Sequence, residues 1–140
     1  MSKKTIYLTE FDIRRLRGMI QSRMERRDVG RDREYLKDLQ KELDRAKIVA
    51  PQDIPDNVIT MNSRIRLTDM DTGEEEVYTL VFPNDADIDQ NKISILAPIG
   101  TALIGYQIGD VIEWDVPVGK RRLRIEEILY QPEATGDYHL

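Results

Sequence analysis

The stretch Ala97-Pro98-Ile99-Gly100-Thr101-Ala102-Leu103-Ile104-Gly105-Tyr106-Gln107-Ile108-Gly109-Asp110 decides how this chain folds. It starts on a turn signal at Pro98 and continues through an apolar run too brief for a long helix. Glycines at 100, 105 and 109 mark points where the backbone bends tightly or lies close against a neighbour. The expectation is a loop, one or two helical turns, and a tight entry into a strand at Val111.

Working outward, both flanks read as strands. Downstream, Val111 to Val116 is a strand, Pro117-Val118-Gly119 a turn, and Arg121 to Tyr130 the closing strand. Upstream, Val58 to Met70 alternates apolar and polar residues, Asp71-Thr72-Gly73 is a hairpin turn, and Glu76 to Phe82 is the answering strand. An acidic loop from Pro83 to Asn91 carries Asp85, Asp87 and Asp89 ahead of a short strand, Lys92 to Leu96. Gln131 to Leu140 shows no strong periodicity. Residues 51–57, with two prolines, are the linker into this region. The predicted class is α+β, with an antiparallel sheet packed on one short helix filling residues 51–140.

The first 50 residues are different. Thr9 is an N-cap with Asp12 three residues on, and Leu8 and Ile13 are placed to staple that cap. Ile13, Leu16, Ile20 and Met24 then form one helical stripe, with Arg14, Arg15, Arg17, Arg23, Arg26 and Arg27 assigned to the other face. The first helix is expected from Glu10 to Arg27. Gly30 breaks it, Asp32 caps the next helix, and Leu36, Leu39, Leu43 and Ala46 are the second stripe, ending at Ala50-Pro51. Two such helices make an antiparallel αα-hairpin, a short coiled-coil arm over residues 1–50 whose base packs on the sheet region.

Composition narrows the function classes. The 140 residues are 40% hydrophobic and 34% charged, enough for one domain with a heavily solvated surface. Residues 1–50 hold 14 Lys and Arg against 9 Asp and Glu, a balance of +5, while the remainder hold 7 against 17, a balance of −10. The basic part suits nucleic acid or an acidic protein surface, or is simply the Arg and Lys content of solvated helices. The acidic part does not suit duplex DNA, whose affinity comes from neutralising phosphates, and no sequence-specific DNA binding is expected. No apolar run approaches the ~20 residues of a membrane span, and no signal-peptide core stands near the N-terminus. No membrane partner is expected, and a cytoplasmic location is. With no cysteine there are no disulfides or thiolate metal sites, and the lone histidine, His139, excludes histidine-based triads elsewhere. No phosphate-cradling glycine loop with its lysine is present, and the Asp85, Asp87, Asp89 loop lacks the glycine and glutamate of a calcium loop. No cofactor and no resident metal are expected.

Together the hairpin, the segment Val58-Ile59-Thr60-Met61-Asn62-Ser63-Arg64, the Pro98, Ala102-Leu103-Ile104-Gly105 and Gly109-Asp110 pattern, and the ending Tyr130-Gln131-Pro132-Glu133-Ala134-Thr135-Gly136-Asp137-Tyr138 resemble the Rnk family, the regulators of nucleoside diphosphate kinase, within the Gre-type transcription factor superfamily. The resemblance spans nearly the whole chain. It implies an FKBP-like sheet domain that docks at the secondary channel of bacterial RNA polymerase, with the helical arm pointing inward. It implies polymerase contact around Ala97, Pro98, Ile99, Gly100 and Thr101, with Leu103 and Ile104 plugging one end of the sheet. Pro98 and Ile99 are the preferred anchors of that contact.

In the cleavage factors of this superfamily, two acids spaced Asp-x-x-Glu at the arm's tip help hold a second magnesium ion. Matched on Glu34-Tyr35, Asp28 takes the first acidic place, but Arg31 stands where the second carboxylate belongs. Asp32 and Glu34 are acidic at the wrong spacing and favour the start of the second helix. The expectation is a monomeric, non-enzymatic regulator that competes with cleavage factors without stimulating transcript cleavage. A cleavage-stimulating elongation factor, a hairpin that pairs with another copy, and an FKBP-like prolyl isomerase are the competing readings. For the last, Tyr78, Phe82, Tyr106, Trp114 and Tyr130 supply the rings near the sheet, and most are assigned to the core.

Overall fold

The structure, a computed structural model, describes residues 6–25, 30, 32–116 and 119–137. The chain opens with β1 (Tyr7–Leu8), α1 (Glu10–Met24), α2 (Asp32–Asp44) and β2 (Lys47–Ile48). Thr9 caps α1 as its sequence predicts, its hydroxyl accepting from the Asp12 amide at 3.1 Å. Leu8 and Ile13 are both buried across that cap. Ile13, Leu16 and Ile20 join Leu36, Leu39 and Leu43 in one hydrophobic core. On the surface, Arg14 pairs with Glu10 and Arg17 reaches Asp44 on the other helix.

Both helices are shorter than their stripes suggest. α1 ends at Met24, and Arg26 and Arg27 lie outside the described residues. Asp32 is the first residue of α2 rather than the cap before it. α2 stops at Asp44, well short of Ala50, because Lys47 and Ile48 leave the helix to pair in parallel with Tyr7 and Leu8. The Lys47 amide donates to the Ile6 carbonyl at 2.7 Å and the Val49 amide to that of Leu8 at 3.0 Å. Ile48 and Val49 are β-branched and lose less in an extended ribbon than in a helix. At 15 and 13 residues the helices are about 22 and 20 Å long. No helix among the described residues is long and apolar enough to cross a membrane.

The rest is a five-stranded sheet, β3 (Arg64–Asp69), β4 (Glu75–Val81), β5 (Lys92–Ser94), β6 (Val111–Val116) and β7 (Gly119–Tyr130), in the order β5-β4-β3-β7-β6. It is mixed, not antiparallel throughout: β5 runs parallel to β4. The acidic loop is the crossover, passing through 3-10 turns at Pro83–Asp85 and Ile88–Gln90 before a left-handed Asn91 delivers the chain to β5. Val58 to Ser63 is not strand either. Val58, Ile59, Thr60 and Met61 are all buried, and Asn62 turns the chain at a φ of 66°. The Thr60 amide donates to the Ser63 hydroxyl at 3.0 Å, a local bond that competes with a ladder. The Asp71-Thr72-Gly73 turn forms as expected, Gly73 taking a φ of 79°. The segment after β7, which carries no periodic signal, folds into a short helix, α4 (Pro132–Thr135).

α3 (Pro98–Leu103) is the brief helix expected in the deciding stretch, followed by a turn at Gly105. Ile99, Leu103 and Ile104 belong to one hydrophobic cluster with Ile65 and Leu67 of the sheet and the leucines of the arm. Gly100 packs so close to β5 that a Cβ there would run into the Ser94 carbonyl. Gly105 has a φ of +86°, and a Cβ would lie 2.6 Å from Cγ1 of Ile6. The base of the arm therefore sits directly on this turn.

Candidate docking surface and arm base

The candidate contact run is the N-terminal turn of α3. Ala97, the residue before the helix, is half-buried, and Thr101 is half-buried with its hydroxyl donating to the Ile95 carbonyl at 2.6 Å. Pro98 begins the helix. Ile99 is only 6% exposed and Gly100 is buried, so in the free chain both serve the core. Among the side chains of this turn that the structure describes, Ala97 and Thr101 reach its surface. Leu103 and Ile104 are fully buried.

Of the tip residues, Asp28 and Arg31 lie outside the described residues. Asp32 opens α2, and Glu34 is exposed in its first turn, where the helix end favours negative charge. In the acidic loop, Asp87 accepts from the Asp89 amide at 3.0 Å, and Ile88 stands 77% exposed between them. Among the described residues no group of three or more His, Cys, Asp or Glu is placed to hold a metal. Tyr78, Phe82 and Tyr106 pack against the core.

The least anticipated feature is a polar joint at the base of the arm. Arg15 does not lie on the solvent face of α1. Its guanidinium stacks 4.1 Å from the Phe11 ring centre and 4.5 Å from that of Phe82, at the end of β4, and bonds Oδ1 of Asp12 at 2.5 Å. Asp12 is 1% exposed, and its Oδ2 is buried with no hydrogen-bond partner. Burial pushes its carboxyl up to about 6 against the pull of Arg15, and Glu133 pushes the same way. Glu133, buried on α4, accepts from the Thr60 hydroxyl at 2.7 Å. Beside it Gln131 donates to the carbonyls of Pro55 and Val58 at 2.8 and 2.7 Å. An Asp and an Arg three apart on a helix hint at a pair. Nothing in the sequence says that Phe82 meets Arg15.

Comparison with known proteins matches residues 4–49 to the Rnk N-terminus family and residues 52–130 to the family of the GreA/GreB transcription elongation factor C-terminal region. The chain is 44% identical over 103 residues to the regulator of nucleoside diphosphate kinase of Escherichia coli, covering 73% of this chain and 76% of that protein. It is 40% identical over 90 residues to transcription elongation factor GreA of Acetivibrio thermocellus, covering 64% and 57% of the two chains. The solved structure of a prokaryotic GreA/GreB elongation factor from Nitrosomonas europaea superposes with a TM-score of 0.76 at 41% identity, over 91% of this chain and 100% of that one. With its Rnk-type helical arm joined to a GreA/GreB-type sheet region, the chain belongs to the Rnk family of Gre-related proteins.

Proposed function

We propose that this protein is a monomeric transcription regulator that binds bacterial RNA polymerase, occupies its secondary channel and competes there with cleavage factors. On this reading residues 51–140 form the FKBP-like module that grips the channel entrance, with the turn at Ala97 to Thr101 as its contact. Residues 1–50 form the arm that points inward. Relatives named as elongation factors and regulators support the setting.

The observation that carries the absence of cleavage is Arg31. A magnesium ion bridging attacking and leaving oxygens needs hard anionic ligands, and the sequence has Arg31, three residues after Asp28, in place of the second carboxylate. The two short helices support a prong that enters the channel without delivering a metal. The experiment is a stalled elongation complex treated with a cleavage factor, with this protein, or with both. Expected is no cleavage with this protein alone and slower cleavage when it is added to the factor. Cleavage by this protein alone, or an unchanged rate in competition, overturns the reading.

A further inference from the structure

We propose that the recess between α1 and the start of the acidic loop binds a small phosphate monoester through the guanidinium of Arg23. The recess measures about 380 Å³, and the described residues lining it are Met19, Ser22 and Arg23 of α1 and Phe82, Pro83 and Asn84 just after β4. That size falls in the range of small-molecule sites. Residues 19, 22 and 23 stand three and four apart from one another or adjacent, so they share one face of the helix. They continue the face on which Arg15 stacks 4.5 Å from the centre of the Phe82 ring. Both the arm and the sheet region therefore contribute side chains to this recess.

Arg23 carries the assignment. Among the described residues the half-buried arginines are Arg15, Arg23, Arg66 and Arg121. Arg15 is paired with Asp12, Arg66 with Glu75 and Glu127, and Arg121 with Asp69 and Glu76. Arg23 alone of these makes no hydrogen bond, ion pair or ring contact among the described residues. A guanidinium partly withdrawn from water gives up hydration that an anion restores. No carboxylate stands among the described lining residues, so the anion that pairs Arg23 comes from outside the chain. The guanidinium fork takes two oxygens side by side, and the Ser22 hydroxyl and the Asn84 amide can donate to a third. A phosphate monoester presents three such oxygens and close to two negative charges at about pH 8, where a carboxylate presents two oxygens and one charge. Met19, Phe82 and Pro83 offer apolar surface to the group that the phosphate carries.

The test needs no polymerase, so its failure is separate from that of the regulatory reading. The full chain is titrated calorimetrically at about pH 8 and fixed ionic strength with inorganic phosphate, ribose 5-phosphate, adenosine 5′-monophosphate and acetate. Expected is saturable one-to-one binding of at least one of the two esters, about fivefold or more tighter than inorganic phosphate and about tenfold or more tighter than acetate. The ratio between the two esters then tells whether a base is held besides the sugar. Arg23→Gln should weaken ester binding about tenfold or more, and Asn84→Ala, which serves if Arg23→Gln does not fold, about threefold or more. Arg14→Gln should leave it unchanged, because Arg14 lies outside the recess and is paired with Glu10. The proposal is overturned if neither ester binds saturably, or if inorganic phosphate or acetate binds as tightly as the esters. It is also overturned if Arg23→Gln, or Asn84→Ala in its place, keeps the unaltered affinity. Equal losses in Arg14→Gln and Arg23→Gln overturn it too, since they show attraction to a basic helix at large and no site.

Discussion

The arm and the sheet each bury an aspartate against an arginine, and the two carboxyl groups are driven in opposite directions. Asp69, at the end of β3, accepts from the turn amides of Asp71 and Thr72 at 2.9 and 3.2 Å and from Arg121 at 3.1 Å. Those backbone donors, the Asp71 amide foremost, hold it below the usual carboxylate range. Asp12 has Arg15 alone on one oxygen, and burial drives it the other way. An arginine neighbour does not by itself settle the charge state; the count of fixed donors on both oxygens does. The contrast extends to packing. The sheet module is held by long-range pairing around a turn with no spare room, and the arm by one aliphatic seam.

The sharpest break of this contrast is Gly100→Ala. The new Cβ would meet backbone, the Ser94 carbonyl, which has no rotamer with which to retreat. A loss of about 3 kcal/mol or more is expected in chemical denaturation, with failure to fold as the upper limit. In the arm the comparable change is Leu36→Ala. Leu36 is fully buried in the seam, and its truncation should cost about 2–5 kcal/mol, toward the lower end if the two helices close over the gap.

The aspartates give a smaller pair of effects with opposite signs. Asp69→Asn removes a carboxylate whose folded form is favoured, so it should lower stability at neutral pH and flatten the loss that the unaltered protein shows on acidification. Asp12→Asn removes a carboxyl group that resists ionisation. It should be neutral near pH 4 and stabilising by pH 8, with the gain appearing as pH rises through about 6. Thermal melts of both variants from about pH 2, where the Asp69 contribution is lost, to about pH 8 check the signs. Parallel slopes would show that the two sites do not differ as argued.

These cases also show what a single sequence reveals. The arm is legible because Ile13, Leu16, Ile20 and Leu36, Leu39, Leu43 repeat at helical spacing, and its cap because Thr9 and Asp12 stand three apart. The brief α3 and the glycine-bounded turn are legible for the same local reason. Where α2 stops is not, because that depends on β2 finding Tyr7 and Leu8 some forty residues away in the chain. The parallel β5 is hidden in how the acidic loop crosses the sheet, and the segment from Val58 to Ser63 imitates a strand because Ile59, Thr60, Met61 and Asn62 alternate apolar and polar, although Val58 to Met61 are all buried. Arg15 misleads for a similar reason. Helical periodicity places it beside other arginines, whereas in the fold it stacks on Phe82, which the sheet brings to it. In the contact run the residue types are informative, but the burial of Ile99 and Gly100 is a tertiary result.

The gentlest change separates the two regions most cleanly. Gly18 lies in α1 with nothing within 4 Å of where a Cβ would stand, and its position is exposed. There the glycine only loosens the unfolded chain and the helix, so Gly18→Ala should stabilise the protein by about 0.5–1 kcal/mol. The same substitution thus raises stability in the arm and collapses it in the turn at Gly100, and the sign is set by what stands opposite the missing methyl. Thermal denaturation of the two alanine variants side by side decides it. If Gly18→Ala were destabilising, something would have to occupy the open face of α1, and the arm could no longer be described as two helices held by a single seam.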